Sequence, residues 1–227
     1  MRDIRRQRRL SSRQHFGPGS CAMSEFDASP LRALSEMAET LRQLGIDFSV
    51  VGGLAVSVRG EVRTTRDVDI AITIDQRGLE DLIVELRQRG YDIYKLVEHE
   101  TAGRTATVRL FAPSGVLVDI IAASSGIEAD IVAAATSITM ESLGPVKVAC
   151  AEDLLAMKVL SLSPRRPQDA VDAQVLLRAN PDLDLSRVRM LLERIRERGY
   201  SRGQDLFGKL EQVMAAAGYD GESPRGA

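Results

Sequence analysis

Tryptophan is absent from this 227-residue chain, and aromatic residues make up only 4% of it. There are just two cysteines, Cys21 and Cys150, and two histidines, His15 and His99. So few cysteines exclude a disulfide framework and a cysteine-rich zinc site. Two histidines leave nothing from which to build a multi-histidine metal centre. No run of about eighteen apolar residues occurs, so no membrane span is expected. The first twenty residues carry arginines without an apolar segment, which excludes a secretory signal; the expected compartment is the reducing cytoplasm. What is present is ordinary for a globular protein, with 44% hydrophobic and 27% charged residues. That composition excludes a disordered chain and supplies a real core.

Charge is unevenly spread. Residues 1–22 hold Arg2, Arg5, Arg6, Arg8, Arg9 and Arg13 against Asp3, a net of +5, so the rest of the chain carries −7 of the overall −2. No aromatic residue interleaves with these arginines, which favours a disordered basic tail over 1–28 rather than a nucleic-acid-binding arm. Ordered structure is expected from Ser29-Pro30, an N-cap followed by proline at the first helical position. Leu31, Leu34, Ala38 and Leu41 then mark one helical face up to Gly45. A strand over 47–51, Gly52-Gly53, a short helix over 54–58 and a strand over 67–74 follow. Leu79, Leu82, Ile83 and Leu86 mark a helix over 77–89. Strands at 105–111 and 116–122 flank the turn Pro113-Ser114-Gly115. From residue 126 the pattern reads as mainly helical, near 126–135, 151–162, 167–178, 186–198 and 203–217, with one extended stretch at 146–150. The fold class is therefore α+β: a small mixed sheet with flanking helices over 29–125, a C-terminal helical bundle over 126–220, and a frayed tail over 221–227.

The chemistry lies in Val50-Val51-Gly52-Gly53 and in Arg63-Thr64-Thr65-Arg66-Asp67-Val68-Asp69-Ile70. On a strand, Val68, Ile70, Ile72 and Ile74 share one face, and Asp67 and Asp69 share the other, roughly 7 Å apart. Two carboxylates so placed repel each other unless the face is solvated or a cation compensates; Mg²⁺ takes one or two carboxylates together with phosphate oxygens. Asp119 sits in Val116-Leu117-Val118-Asp119-Ile120-Ile121, among aliphatic neighbours. A carboxylate there needs a cation, an arginine or a proton. Gly52-Gly53 closes a strand and opens a helix, which lets backbone amides approach a phosphate. Arg63 and Thr65 stand just before the strand; Arg63 is placed to stack on a base, pair with phosphate, or bond Asp67 or Asp69.

The order Gly-Gly, then Arg-x-Thr-x-Asp-x-Asp, then a later strand aspartate resembles the nucleotidyltransferase superfamily with a polymerase-beta-type core. In particular it resembles the AbiEii-type branch, which contains toxins of type IV toxin–antitoxin systems. The resemblance spans about residues 45–178. It implies a nucleotidyltransferase core in which Asp67, Asp69 and Asp119 bind Mg²⁺, with Asp119 also helping to activate the acceptor hydroxyl. It implies that Gly52 and Gly53 hold a nucleoside triphosphate. Many superfamily members have Gly-Ser at this point; here Gly53 removes the hydroxyl.

Lys158 lies between Leu154 and Leu162 on an apolar helix face, where its charge must either snorkel to water or find an acid. The next helix carries Asp169 and Asp172 on one face, so a lysine–aspartate pair across the two helices would neutralise both. By the same resemblance, Lys158 contacts the triphosphate, and Asp169 or Asp172 orients it or serves the acceptor. Arg187, Arg189, Arg194, Arg196, Arg198 and Arg202 read as a charged helix surface first and an RNA guide second. The expected activity is Mg²⁺-dependent transfer of a nucleoside monophosphate to RNA such as tRNA, or to protein, with a cognate antitoxin as partner and no membrane. The alternatives are a small-molecule, aminoglycoside-like transferase and a non-catalytic nucleotide-binding or interaction module.

Overall fold

The computed structural model describes residues 29–98, 104–140 and 144–219. The expected basic tail, the frayed C-terminus, His15, Cys21 and His99 lie outside them. Helix α1 (Pro30–Gln43) begins where the proline predicts, and the Ser29 hydroxyl accepts the Arg32 amide. Its buried face is Ala33, Leu34, Met37, Ala38 and Leu41; Leu31, expected on that face, is 42% exposed. Strand β1 (Phe48–Val51) runs directly into helix α2 (Gly52–Arg59). Strand β2 (Asp67–Ile72), helix α3 (Gln76–Gln88) and strands β3 (Asp92–Glu98), β4 (Thr105–Phe111) and β5 (Leu117–Ile121) follow. Helix α4 (Glu128–Ala134) and the hairpin of β6 (Thr136–Met140) and β7 (Gly144–Val148) lead to the helices α5 (Ala151–Ser161), α6 (Pro167–Ala179), α7 (Leu185–Glu197) and α8 (Leu206–Ala217).

The strands form one mixed seven-stranded sheet in the order β3-β4-β5-β2-β1-β7-β6. The α+β class holds, but the sheet is larger than expected. β3 and β6 were not foreseen, and β7, expected at 146–150, lies two residues earlier and pairs parallel with β1. The physical reason is position: β3 and β6 are the two edge strands, and both are largely exposed. Edge strands do not show the burial alternation from which a strand is read. The sheet therefore continues past residue 126, and only from α5 onward is the chain purely helical.

The helical half packs on the sheet through α2 and α5, with α5 enclosed by α6, α7 and α8. Leu154, Leu155, Ala156 and Val159 of α5 and Val188, Leu191, Leu192 and Ile195 of α7 are essentially inaccessible. Within this core Asp153 is fully buried. Arg187 donates to its Oδ1 from Nε at 3.0 Å and from Nη2 at 2.7 Å, while Oδ2 has no partner. Burial outweighs the arginine and pushes the Asp153 carboxyl up to about 6. Its native form thus holds a proton more tightly than the unfolded chain does, so the stability contributed by Asp153 is lost as pH rises from about 4 to about 6. Urea unfolding of wild type and Asp153→Asn across pH 4–7.5 should show wild type losing ground to the variant through that window and running parallel above it. Parallel curves throughout would mean that Asp153 titrates alike in the folded and unfolded chain.

Candidate active site

Strand register places the acidic residues. β2 runs antiparallel to β1 with Val51 opposite Asp69, and parallel to β5 with Asp69 beside Asp119 and Asp67 beside Leu117. One row across the sheet therefore reads Val51, Asp69, Asp119, on strands about 4.8 Å apart. Asp67 lies one side-chain step along the same face. Val68 and Ile70 face the other side and are fully buried. The fourth member of the row is Arg109 of β4, directly opposite Asp119. Its Nε and Nη2 donate to Asp119 Oδ1 and Oδ2 at 2.8 and 2.6 Å. Of the three compensations open to Asp119, the arginine is the one present. The Asp119 hydrogen bonds, with Asp69 and Asp67 nearby, hold the guanidinium of Arg109 above its ordinary range.

Asp69 sits at the start of α2. Gly52 has φ +62°, and a Cβ on it would lie 1.9 Å from Asp69 Oδ2. Only glycine allows both this backbone turn and the close approach of the carboxylate. The Gly53 amide donates to Asp69. Burial, then the neighbouring Asp67 and Asp119, raise the Asp69 carboxyl to about 6, against the Lys158 charge and the Gly53 amide. A Cβ on Gly53 would come within 2.8 Å of both Arg63 Nη2 and Thr65 Oγ1. A side chain at the second glycine would have to displace the ends of the Arg63 and Thr65 side chains that cross over it. Thr65 donates to Asp67 Oδ1 at 2.9 Å and fixes that carboxylate.

The helical half closes the other side. Lys158 Nζ lies 2.7 Å from Asp169 Oδ1 and 2.8 Å from Asp172 Oδ2. Arg63 also reaches Asp172, with Nε 3.0 Å from Oδ1 and Nη2 donating to Oδ2 at 3.1 Å, and so pairs with neither Asp67 nor Asp69. Gln168 adds a bond to Asp172 Oδ1 at 2.8 Å. Burial works against ionisation of Asp172, but Lys158, Gln168 and Arg63 together hold it below the usual carboxylate range. Arg166, itself exposed, stands 3.4 Å from Asp169 Oδ2. Gly52, Gly53, Arg63, Thr65, Asp67, Asp69, Asp119, Lys158, Asp169 and Asp172 therefore lie in one continuous region, where β1, β2 and β5 meet α2, α5 and α6.

A hard divalent cation suits the donor set, because the strand register brings three carboxylate side chains onto one face, two of them side by side. Among the described residues, however, no group of three or more histidines, cysteines or carboxylates is already gathered as metal ligands. Asp119 is engaged by Arg109 and Asp69 by the Gly53 amide. A cleft of about 440 Å³ opens among Arg42, Ile46, Phe48 and Lys147, at the opposite end of β1 from Gly52.

Sequence reading missed Arg109. The signal was available: Ala106, Val108 and Leu110 alternate with Thr105, Thr107, Arg109 and Phe111, and a hairpin centred on Ser114 brings Arg109 opposite Asp119. The C-terminal arginines are largely spent on internal pairs. Arg187 bonds Asp153, Arg194 and Arg198 bond Asp130, Arg196 bonds Glu193, and Arg189 pairs with Glu211. They form a charged helix surface, the first of the two expected readings.

Comparison with curated proteins finds no match. Among solved structures, that of the antibiotic-resistance factor ANT(2″)-Ia in solution is 16% identical, with a TM-score of 0.52 over 84% of this chain and 99% of that one, and shows a shared fold. An antigenic nucleotidyltransferase-like protein from Paracoccidioides brasiliensis is 20% identical, covering 79% of this chain and 91% of its own, with a TM-score of 0.44. A lincosamide antibiotic adenylyltransferase with lincomycin bound is 16% identical over 64% of this chain and 94% of its own, with a TM-score of 0.44. The family model for the nucleotidyl transferase AbiEii toxin of type IV toxin–antitoxin systems matches residues 33–220. The chain, with its row of strand carboxylates beside a Gly-Gly helix start, belongs to the AbiEii nucleotidyl transferase family.

Proposed function

We propose that the protein transfers a nucleoside monophosphate from a Mg²⁺-bound nucleoside triphosphate to a hydroxyl of a macromolecular acceptor, RNA such as tRNA or a protein, as the toxin of a type IV pair restrained by an antitoxin. The acceptor oxygen forms a bond to the α-phosphorus, the bond from that phosphorus to the β-phosphate oxygen breaks, and pyrophosphate leaves. The observation that carries this reading is the register that sets Asp69 beside Asp119, with Asp67 on the same face, at the start of α2.

Asp67, Asp69 and Asp119 would hold the cation. When bound, it neutralises phosphate charge and lowers the pKa of a hydroxyl at the site. Asp119, between Asp69 and Arg109 in the row, would take the acceptor proton. Gly52 and Gly53 keep the helix start clear of Cβ atoms, so backbone amides can approach the triphosphate. Lys158 and Arg63 supply positive charge within reach of the same region and are held in place by Asp169 and Asp172. Thr65 keeps Asp67 oriented.

Incubation with each labelled triphosphate, Mg²⁺ and either total RNA or a protein extract tests the reading. Label in one of the two acceptors with stoichiometric pyrophosphate release is expected. Metal-linked thermal stabilisation by triphosphate without pyrophosphate would point to the non-catalytic module instead. Asp69→Asn should abolish transfer and leave the fold intact, with metal-free stability unchanged or raised because one of three like charges is gone. Wild-type turnover in that variant would remove Asp69 from the metal site. Lys158→Met keeps the apolar stem but strips Asp169 and Asp172 of their shared cation, so about 3 kcal/mol of stability should go. In variant protein verified as folded by circular dichroism, the triphosphate KM should rise about tenfold or more. An unchanged KM would reduce Lys158 to an internal counter-ion.

A further inference from the structure

Arg109 has no place in the reading above, yet it makes the most direct contact with a residue of the row. Its guanidinium covers both oxygens of Asp119 in a fork-to-fork pair, the geometry in which arginine binds carboxylate most strongly. A cation bound by Asp119 needs one of those same oxygens. An ionised carboxylate has lone pairs enough for a hydrogen bond and a metal on the same oxygen, so the competition is one of charge: guanidinium and cation repel each other at a single carboxylate.

The two side chains are unequally buried. Asp119 is 9% exposed, whereas Arg109 is 40% exposed. Both hydrogen bonds of the Arg109 guanidinium go to Asp119. Rotation of the arginine into solvent restores its hydration and breaks only the bonds to Asp119, at the loss of the attraction of Asp69 and Asp67, while Asp119 stays fixed by β5 between β2 and β4. The neighbours are also asymmetric. Asp119 has a carboxylate, Asp69, on one side and the arginine on the other. Removing the arginine without replacing its charge leaves Asp69 and Asp119 to repel each other across adjacent strands.

We propose that Arg109 is a positioning residue that holds Asp119 in reserve, competing with the divalent cation for its two carboxylate oxygens, so that metal loading and release of Arg109 are one event. This rests on the nucleotidyl-transfer reading of the site. In the absence of cation, Arg109 supplies the positive charge that faces Asp119. With cation, that charge comes from the metal, and the guanidinium is free on the face of the sheet that carries Asp67, Asp69 and Asp119.

Direct metal titration tests this without turnover. Mn²⁺ binding, followed by electron paramagnetic resonance of the free ion, is compared for wild type, Arg109→Gln and Arg109→Lys. Loss of the competing charge should make Arg109→Gln bind Mn²⁺ about tenfold tighter or more. Arg109→Lys, which keeps the charge but not the fork, should fall between the two. A merely structural arginine predicts equal or weaker binding in both variants, and that result overturns the proposal. Because Arg109→Gln strips a buried carboxylate of its counter-charge, wild-type protein labelled at arginine Nε with ¹⁵N gives a second readout that needs no variant. The Arg109 Nε–H signal should be protected from exchange in metal-free protein and lose that protection as Mg²⁺ is added. Protection retained at saturating Mg²⁺ overturns the proposal. Wild-type protein that binds no Mn²⁺, alone or with α,β-methylene-ATP, sinks the nucleotidyl-transfer reading and this inference together. Wild-type binding with no gain in Arg109→Gln sinks this inference alone.

Discussion

Repulsion among three carboxylates on one face of a sheet is the constraint around which this molecule is arranged. Parallel pairing of β2 with β5 forces Asp69 and Asp119 side by side, and strand alternation forces Asp67 onto the same face. Each is answered separately by a local device. The Gly53 amide meets Asp69, Thr65 meets Asp67, and Arg109 meets Asp119. The devices differ in strength. A hydroxyl and an amide leave most of the charge in place, and burial, with Asp67 and Asp119 beside it, pushes the Asp69 carboxyl up to about 6. The arginine cancels a full charge. Local features that look unrelated follow from this: the positive φ at Gly52, the missing Cβ at Gly53 and the fork at Arg109 all make room for or neutralise one row of acids.

The helical half meets a similar problem with the opposite sign. Lys158 sits on α5 among core leucines, where an unpaired ammonium is untenable. Asp169 and Asp172, three residues apart on α6, together meet it, and Arg63 crosses from the sheet half to share Asp172. Arg63 thereby ties the segment before β2 to α6. The Asn180 side-chain amide does the same for the end of α2, donating to the Arg59 carbonyl. The two halves are thus joined by polar bonds around the candidate site as well as by packing between α2 and α5.

The parts of this arrangement that follow from local sequence were legible. Asp-x-Asp on a strand, Asp119 in an aliphatic run and Lys158 facing an aspartate pair each follow from periodicity alone, as does the helix starting at Pro30. What depends on partners was not. Arg63 had several acids within plausible reach, and only the packing of α6 selects Asp172 over Asp67 or Asp69. Arg109 required strand pairing to be counted through the hairpin rather than read along the chain. β3 and β6 escaped because an edge strand is defined by its one neighbour and not by its own pattern. Leu31 was assigned to a buried face by spacing, but the buried stripe of α1 begins at Ala33 and Leu34 and leaves Leu31 exposed.

In the metal-free molecule the bases around the site, Arg63, Arg109 and Lys158, are each paired with an acid, while Asp67 and Asp69 have only a hydroxyl and an amide. Arg109 neutralises Asp119, and Lys158 with Arg63 neutralises Asp169 and Asp172. A bare triphosphate entering this region meets Asp67 and Asp69 as like charges, and finds its cations already occupied. On the proposed reading, a metal–triphosphate complex would bring both signs at once: the cation would suit the carboxylates, and the phosphates the bases. Each internal pair given up would then be replaced by a pair with the ligand, leaving no buried charge uncompensated. The arrangement would favour the complex over either component, because only the complex could settle both halves of the charge balance simultaneously.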